Sequence, residues 1–183
     1  MRIYTRKGDD GTTGLFLGGR VAKDATGPEA YGAVDEAVSA LGMARAAAEA
    51  GLAAELLDLQ RQLFVVGAEL ATLPENRAKL DPGVSLATTE MVEQLERRLD
   101  RLMDEVGAPT DFVVPGGSAL AATLDHARSV MRRAERRAVT HHRETGVTDS
   151  RVVPYLNRLN DLLFMLARAA EKDWTPLREG EPA

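Results

Sequence analysis

From residue 29 onward the chain is built of long stretches in which apolar residues return every third or fourth position, each stretch closed by glycine or proline. That period puts the apolar side chains on one face of an α-helix. Such a face is stable only when it is buried against another element. The first stretch, 29–50, carries Tyr31, Val34, Val38, Leu41, Ala44 and Ala48, and Gly51 stops it. The second, 52–73, carries Leu56, Leu59, Leu63, Val66 and Leu70 and ends at Pro74. Residues 74–87 read as a mostly polar loop around Pro82-Gly83. Thr88 or Thr89 caps a third helix to 106, with Met91, Leu95, Leu99, Leu102 and Met103 as its stripe, closed by Gly107 and Pro109. Ser118, after a Pro115-Gly116-Gly117 turn, caps a fourth helix to 142. A fifth spans 150–174 with Leu156, Leu159, Leu163, Leu166 and Ala170 on one side and Pro154 in its first turn. Helices of this length are about 30 Å long at about 1.5 Å per residue. Short connections make neighbours antiparallel, so the expected fold class is all-α, a five-helix bundle in one domain over 1–183. The tail, 175–183, is expected to be loose.

Composition supports this reading. Aromatic residues are only 4% of the 183, while alanine and leucine abound, which favours helix packing over a β-sandwich. Hydrophobic residues at 44% suffice for a core. Cysteine is absent, which excludes disulfides, zinc–thiolate sites and cysteine nucleophiles. No run of about 18 apolar residues spans a membrane, and the N-terminus lacks a signal-peptide run. A cytoplasmic protein is expected. The net charge of −5 argues against general nucleic-acid affinity and leaves room for a local phosphate site.

Residues 1–28 differ from the rest. They hold Gly8, Gly11, Gly14, Gly18, Gly19 and Gly27, with Lys7, Arg20 and Lys23 among Thr5, Thr12 and Thr13. This is a glycine-rich arm expected to have little regular structure. Its glycines let backbone N–H groups approach an anion. It is neither a Walker A loop nor a dinucleotide fingerprint.

The fourth helix carries Arg128, Arg132 and Arg136 at four-residue spacing on one face, with Asp125 and Glu135 near it and Arg133 and Arg137 in a second row. Two readings stand side by side: a solvated basic face, or an anion site in which guanidinium forks meet phosphate oxygens. Asn157, Asn160 and Asp161 sit among leucines in the fifth helix and need partners; Asn157 either contacts its own helix or reads part of a ligand. Asp35 and Glu36 in the first helix are surface carboxylates or partners for an arginine of another helix or subunit. No metal site is expected: His126, His141 and His142 lack both an HExxH and a Glu-x-x-His pattern. The chain thus offers phosphate-binding groups and no evident nucleophile, as suits a substrate that brings its own.

Five segments, IYTRKGDDGTTGL, EAYGAVDEAVSALG, FVVPGG, RRAERRAV and YLNRLNDLLFMLAR, occur in the order seen in PduO-type ATP:cob(I)alamin adenosyltransferases. The chain resembles that family from residue 2 to about 172. The resemblance implies a homotrimer with active sites between subunits. It implies transfer of the 5′-deoxyadenosyl group of ATP to a reduced corrinoid, cob(I)alamin, with release of triphosphate and with Mg²⁺ on the phosphates. Thr5, Arg6, Lys7 and Gly8, with Thr13, Gly14 and Lys23, resemble the ATP-binding arm. Arg132, Arg133, Glu135 and Arg136 resemble the nucleotide site, and Asn157 its nucleotide-contacting asparagine. Asp35 and Arg128 resemble a pair that bridges subunits near the corrinoid, and Phe112 the apolar residue that blocks the lower face of cobalt. Asp35, Phe112, Arg128 and Arg132 are thus the expected catalytic set. One departure is Val38, which stands where the family usually has asparagine. A cobalamin-dependent mutase or a reductase is a further partner that the family suggests. The alternative is a bundle that binds ATP or adenosylcobalamin without catalysis, as a chaperone or sensor.

Overall fold

The structure, a computed structural model, describes Tyr4, residues 6–171 and residues 173–178. Thr5 lies outside the described residues. Five α-helices dominate: α1 Thr26–Ala47, α2 Ala50–Leu70, α3 Thr89–Val106, α4 Ala119–Thr145 and α5 Val152–Ala169. All five helices expected from the apolar period are present. α1 packs on α2 and α4, and α5 packs on α4 and α3, so α1, α4 and α5 form the centre of the bundle.

The central faces explain that order. α1 buries Ala30, Ala33, Ala37, Ala40 and Ala44, and α4 buries Ala121, Ala127, Ala134 and Ala138. Small side chains let two backbones approach closely, and these two helices make the most extensive helix pair. α5 supplies bulk instead: Leu156, Leu159, Leu162 and Leu163 are all 0–1% exposed. Each such leucine contributes about 1.5–3 kcal/mol by leaving water.

The helix ends follow local chemistry. The Thr88 hydroxyl accepts from the Met91 N–H at 3.3 Å, and the Ser118 hydroxyl accepts from the Ala121 N–H at 3.0 Å. Gly146 closes α4 at φ 71°, a left-handed conformation that costs glycine little. Pro154 sits in the first turn of α5, where its missing N–H has no helical partner to lose.

Three expectations are corrected. The arm is not devoid of regular structure: β1 Thr12–Gly14 pairs antiparallel with β2 Arg20–Ala22, Thr13 opposite Val21. The Phe16 N–H donates to the Ala71 carbonyl at 2.9 Å, which docks this hairpin on the end of α2. The 74–87 segment is not simply a polar loop. It holds a 3₁₀ turn, Pro74–Lys79, and buries Leu80, Ser85 and Ala87. Its anchor is the buried Glu69 of α2, whose carboxylate accepts from Arg77 at 2.8 Å, Ser150 at 2.6 Å and the Ala87 N–H at 2.8 Å. Finally, α5 ends at Ala169 rather than near Trp174. The chain turns there and lays residues 175–177 against the 112–114 segment: the Val114 N–H donates to the Thr175 carbonyl, and the Leu177 N–H to the Phe112 carbonyl, both at 2.8 Å.

Candidate active site

A cavity of about 740 Å³ opens between the end of α3, the α3–α4 connection, the first half of α4 and α5. Its apolar wall includes Leu99, Met103, Phe112 and Phe164, and its cationic wall is Arg128 and Arg132. Phe112 is 77% exposed, so a large apolar ring stands free at the cavity edge. The expected arginine row is divided. Arg128 and Arg132 face this cavity, whereas Arg136, one turn further on, does not line it.

The second arginine row faces α1. Arg133 pairs with Glu36, and Arg137 approaches Glu29 at 3.6 Å. Both pairs are about half exposed, so each contributes little to stability.

Glu135 turns the other way, toward α5. Its two oxygens accept from Asn157 Nδ2 at 3.1 Å and Asn160 Nδ2 at 2.7 Å. The Asn157 side-chain Oδ1 in turn accepts from Arg158 at 2.8 Å, and Arg158 binds Glu96 of α3 at 2.8 Å. Glu135 and Asn157 therefore form one fixed polar unit. Burial raises the Asp161 carboxyl beside it above the ordinary carboxylate range; Arg158 opposes that shift, Glu135 adds to it, and Arg132 and Arg128 oppose it. Asp161 and Asn160, which line the cavity, were noted in the sequence as polar residues among leucines but not assigned to the site. Phe164 was missed because its helical period reads as core.

The arm forms a compact basic loop. Arg20 donates to the Lys7 carbonyl at 2.6 Å and to the Thr12 hydroxyl, and Lys23 Nζ lies over Gly8, so close that a Cβ there would sit 3.1 Å from it. Arg6 adopts φ 60°, and its guanidinium lies over the Tyr4 ring. Thr13 and Gly14 belong to β1. The arm meets the far end of α4, where the Thr26 hydroxyl bonds Glu144 at 2.9 Å. His141, 3.2 Å from that hydroxyl, is thirteen positions beyond Arg128, roughly 20 Å along the axis. No described residue of the arm lines the arginine cavity. Asp35 is separate again, in an apolar groove of about 450 Å³ with Phe16, Tyr31, Val38 and Phe64. No hydrogen bond or ion pair joins Asp35 to Arg128 among the described residues.

The sequence profile described as cobalamin adenosyltransferase matches residues 3–170. The chain belongs to that family. Among its relatives, a corrinoid adenosyltransferase of Citrobacter freundii is 42% identical over 171 residues, covering 93% of this chain and 95% of that protein. One of Bacillus subtilis is 41% identical over 174 residues, covering 92% and 86%. The corrinoid adenosyltransferase PduO of Citrobacter freundii is 42% identical too, but this chain spans only about half of it, 51%. A variant of the PduO-type ATP:corrinoid adenosyltransferase from Lactobacillus reuteri, solved in complex with cobalamin and ATP, superposes with a TM-score of 0.87 at 31% identity, over 97% of this chain and all of that one. The family is one of transferases, so this helical bundle is the scaffold of an enzyme. No helix among the described residues is long and apolar enough to cross a membrane.

Proposed function

We propose that this chain transfers the 5′-deoxyadenosyl group of ATP to the cobalt of cob(I)alamin. The observation that carries this reading is the cavity that sets Phe112 and Phe164 against Arg128 and Arg132. It offers an apolar surface to a corrin face, Arg132 to phosphate, and Arg128 at the corrinoid side.

In the reaction the Co(I) electron pair attacks C5′ of ATP. The Co–C5′ bond forms, the C5′–O bond breaks, and triphosphate leaves with that bonding pair. The protein need supply no nucleophile. Its tasks are to align C5′ with cobalt, to balance charge on the leaving triphosphate, and to exclude water. Arg132 and Arg136 are proposed to take phosphate oxygens, with Arg133 released from Glu36 or acting beside it. Glu135 and Asn157, already locked together, hold the nucleoside side. Phe112 covers the lower face of cobalt, which displaces the lower ligand and makes four-coordinate Co(II) easier to reduce. Lys7, Gly8, Thr13, Gly14 and Lys23, with Thr5 and Arg6, form the arm that wraps ATP.

No described arm residue lines the cavity of its own protomer, which supports sites shared between subunits, and the family resemblance makes the assembly a homotrimer in which the arm of one subunit meets the cavity of the next. Asp35 and Arg128, apart in the single chain, then pair across the boundary. Val38 puts a methyl-bearing side chain beside Asp35 where the family usually has an amide, and so makes that part of the boundary apolar. Among the described residues no group of three or more His, Asp or Glu side chains is placed to hold a metal. Magnesium would be held by triphosphate oxygens and water, and would neutralise charge on the leaving group. A cytoplasmic location, and a mutase or reductase as partner, complete the proposal.

The test is an anaerobic assay with chemically reduced cob(I)alamin, ATP and magnesium, followed by absorbance. Enzyme-dependent formation of adenosylcobalamin is expected, with kcat lowered about 100-fold or more in Arg132→Ala. ATP binding without conversion would replace this reading with the non-catalytic binding module.

A further inference from the structure

Beneath the cavity lies a cluster of four buried or half-buried charges. Arg168, in the last turn of α5, is 1% exposed. Its Nη2 donates to Asp125 Oδ2 of α4 at 2.6 Å, and its Nε lies 3.1 Å from Glu171 Oε2. The side chains of Asp125 and Glu171 are 5% and 1% exposed. Asp125 Oδ1 is in turn 3.6 Å from Arg128 Nε, and both guanidinium groups lie over the Phe164 ring, Arg128 at 5.5 Å and Arg168 at 5.2 Å. The cluster is neutral, two cations against two anions.

Stability alone does not account for it. A leucine at 168 would extend the apolar stripe of α5 without the desolvation that buried ions incur. Arg168 Nη1 and Nε even lack well-aligned acceptors. What the charges supply, and a leucine would not, is orientation. Glu171 Oε1 accepts from the Gly117 N–H at 2.9 Å, so close that a Cβ on Gly117 would lie 2.7 Å from that oxygen. The Ser118 hydroxyl donates to the Ala170 carbonyl at 3.0 Å. The indole N–H of Trp174 donates to the Arg168 carbonyl at 3.1 Å, which turns the chain back so that residues 175–177 pair with 112–114.

We propose that Arg168 and Glu171 are positioning residues: they clamp the 112–118 loop to the end of α5 and, through Asp125, aim Arg128 at the cavity. Neither side chain lines the cavity. They act on it through Phe112 and Arg128, which do. This role rests on the adenosyl-transfer reading for its catalytic consequence, and on the clamp geometry alone for its structural one.

Two readouts test it. The first is amide hydrogen exchange, by mass spectrometry, of the peptide spanning 112–118 in the full chain. Glu171→Ala and Glu171→Asp both withdraw the acceptor from Gly117, and the aspartate keeps the charge, so it covers the case in which the alanine variant does not fold. Exchange in 112–118 should accelerate about tenfold or more while α1 stays as protected as in the wild type. Glu171→Gln has one oxygen for the two donors, Gly117 N–H and Arg168 Nε–H, and should recover only part of the protection. The second readout is steady-state adenosylation. Glu171→Asp should raise KM for the corrinoid or lower kcat about tenfold, with KM for ATP within about twofold of the wild type. Unchanged exchange in 112–118 overturns the clamp. Equal loss toward both substrates overturns the positioning role and leaves a general stability effect. An inactive wild type would instead reject adenosyl transfer, and the exchange data would still decide the clamp.

Discussion

Glu69 shows how a single residue organises parts of the chain distant in sequence. Its side chain is 0% exposed, and it accepts from a guanidinium, a hydroxyl and a backbone N–H. Removing it leaves Arg77 with only the exposed Asp149 as its carboxylate partner and leaves the Ala87 N–H without its acceptor. Breaking a buried pair of this kind costs about 3–5 kcal/mol. Glu69→Ala should therefore lower the melting temperature by roughly 10 °C in a chain of this size, read by calorimetry. His142 sits near the same cluster, and burial lowers its pKa, as it does that of His141, below the ordinary 6.5. A histidine depressed in the folded state binds fewer protons than the unfolded chain, so stability rises with pH through that window and falls on acidification. The melting temperature should drop as pH is lowered from 6.5, and the slope should shrink in a His141→Asn, His142→Gln double variant. A flat profile in the wild type would refute this.

At the scale of elements, α4 is the helix on which both the fold and the site depend. One face is alanine and packs on α1, while Arg128 and Arg132 project toward α5 and the cavity. Its N-terminus is fixed twice by Ser118, which accepts from Ala121 and donates to Ala170. Ser118→Ala should cost about 1–2 kcal/mol, seen as a shifted denaturation midpoint with an unchanged m-value. The same helix shows what sequence patterning could reveal. Ser118 was readable as its cap, because capping chemistry is local. The division of the arginines between cavity and α1 was not, because it depends on which neighbour each face meets.

For the whole molecule, the separation of the arm from the arginine cavity carries the main prediction. If sites are shared between subunits, trimers co-expressed from Arg132→Ala and Lys23→Ala chains should regain turnover that neither variant shows alone, since some sites draw an intact arm and an intact cavity from different protomers. Sedimentation should give three times the 19.8 kDa chain mass. A monomer with full activity would contradict both. The exposed Phe64 and Phe16 beside Asp35 are the apolar surface such an assembly would cover.

The sequence by itself determined the five helices, the caps of α3 and α4 and the family, because periodicity, capping and ordered motifs are written in neighbouring residues; it misplaced the α1–α2 junction, since Gly51 lies inside α2 instead of ending α1. It did not reveal the hairpin, whose strands of three residues are too short to show alternation and which docks through a backbone bond to Ala71. It did not reveal Glu69 or Arg168 as hubs either. A buried charge looks in sequence like any surface charge, and only tertiary packing brings Arg77, Ala87 and Ser150 to one carboxylate, or Asp125, Phe164 and Glu171 to one guanidinium.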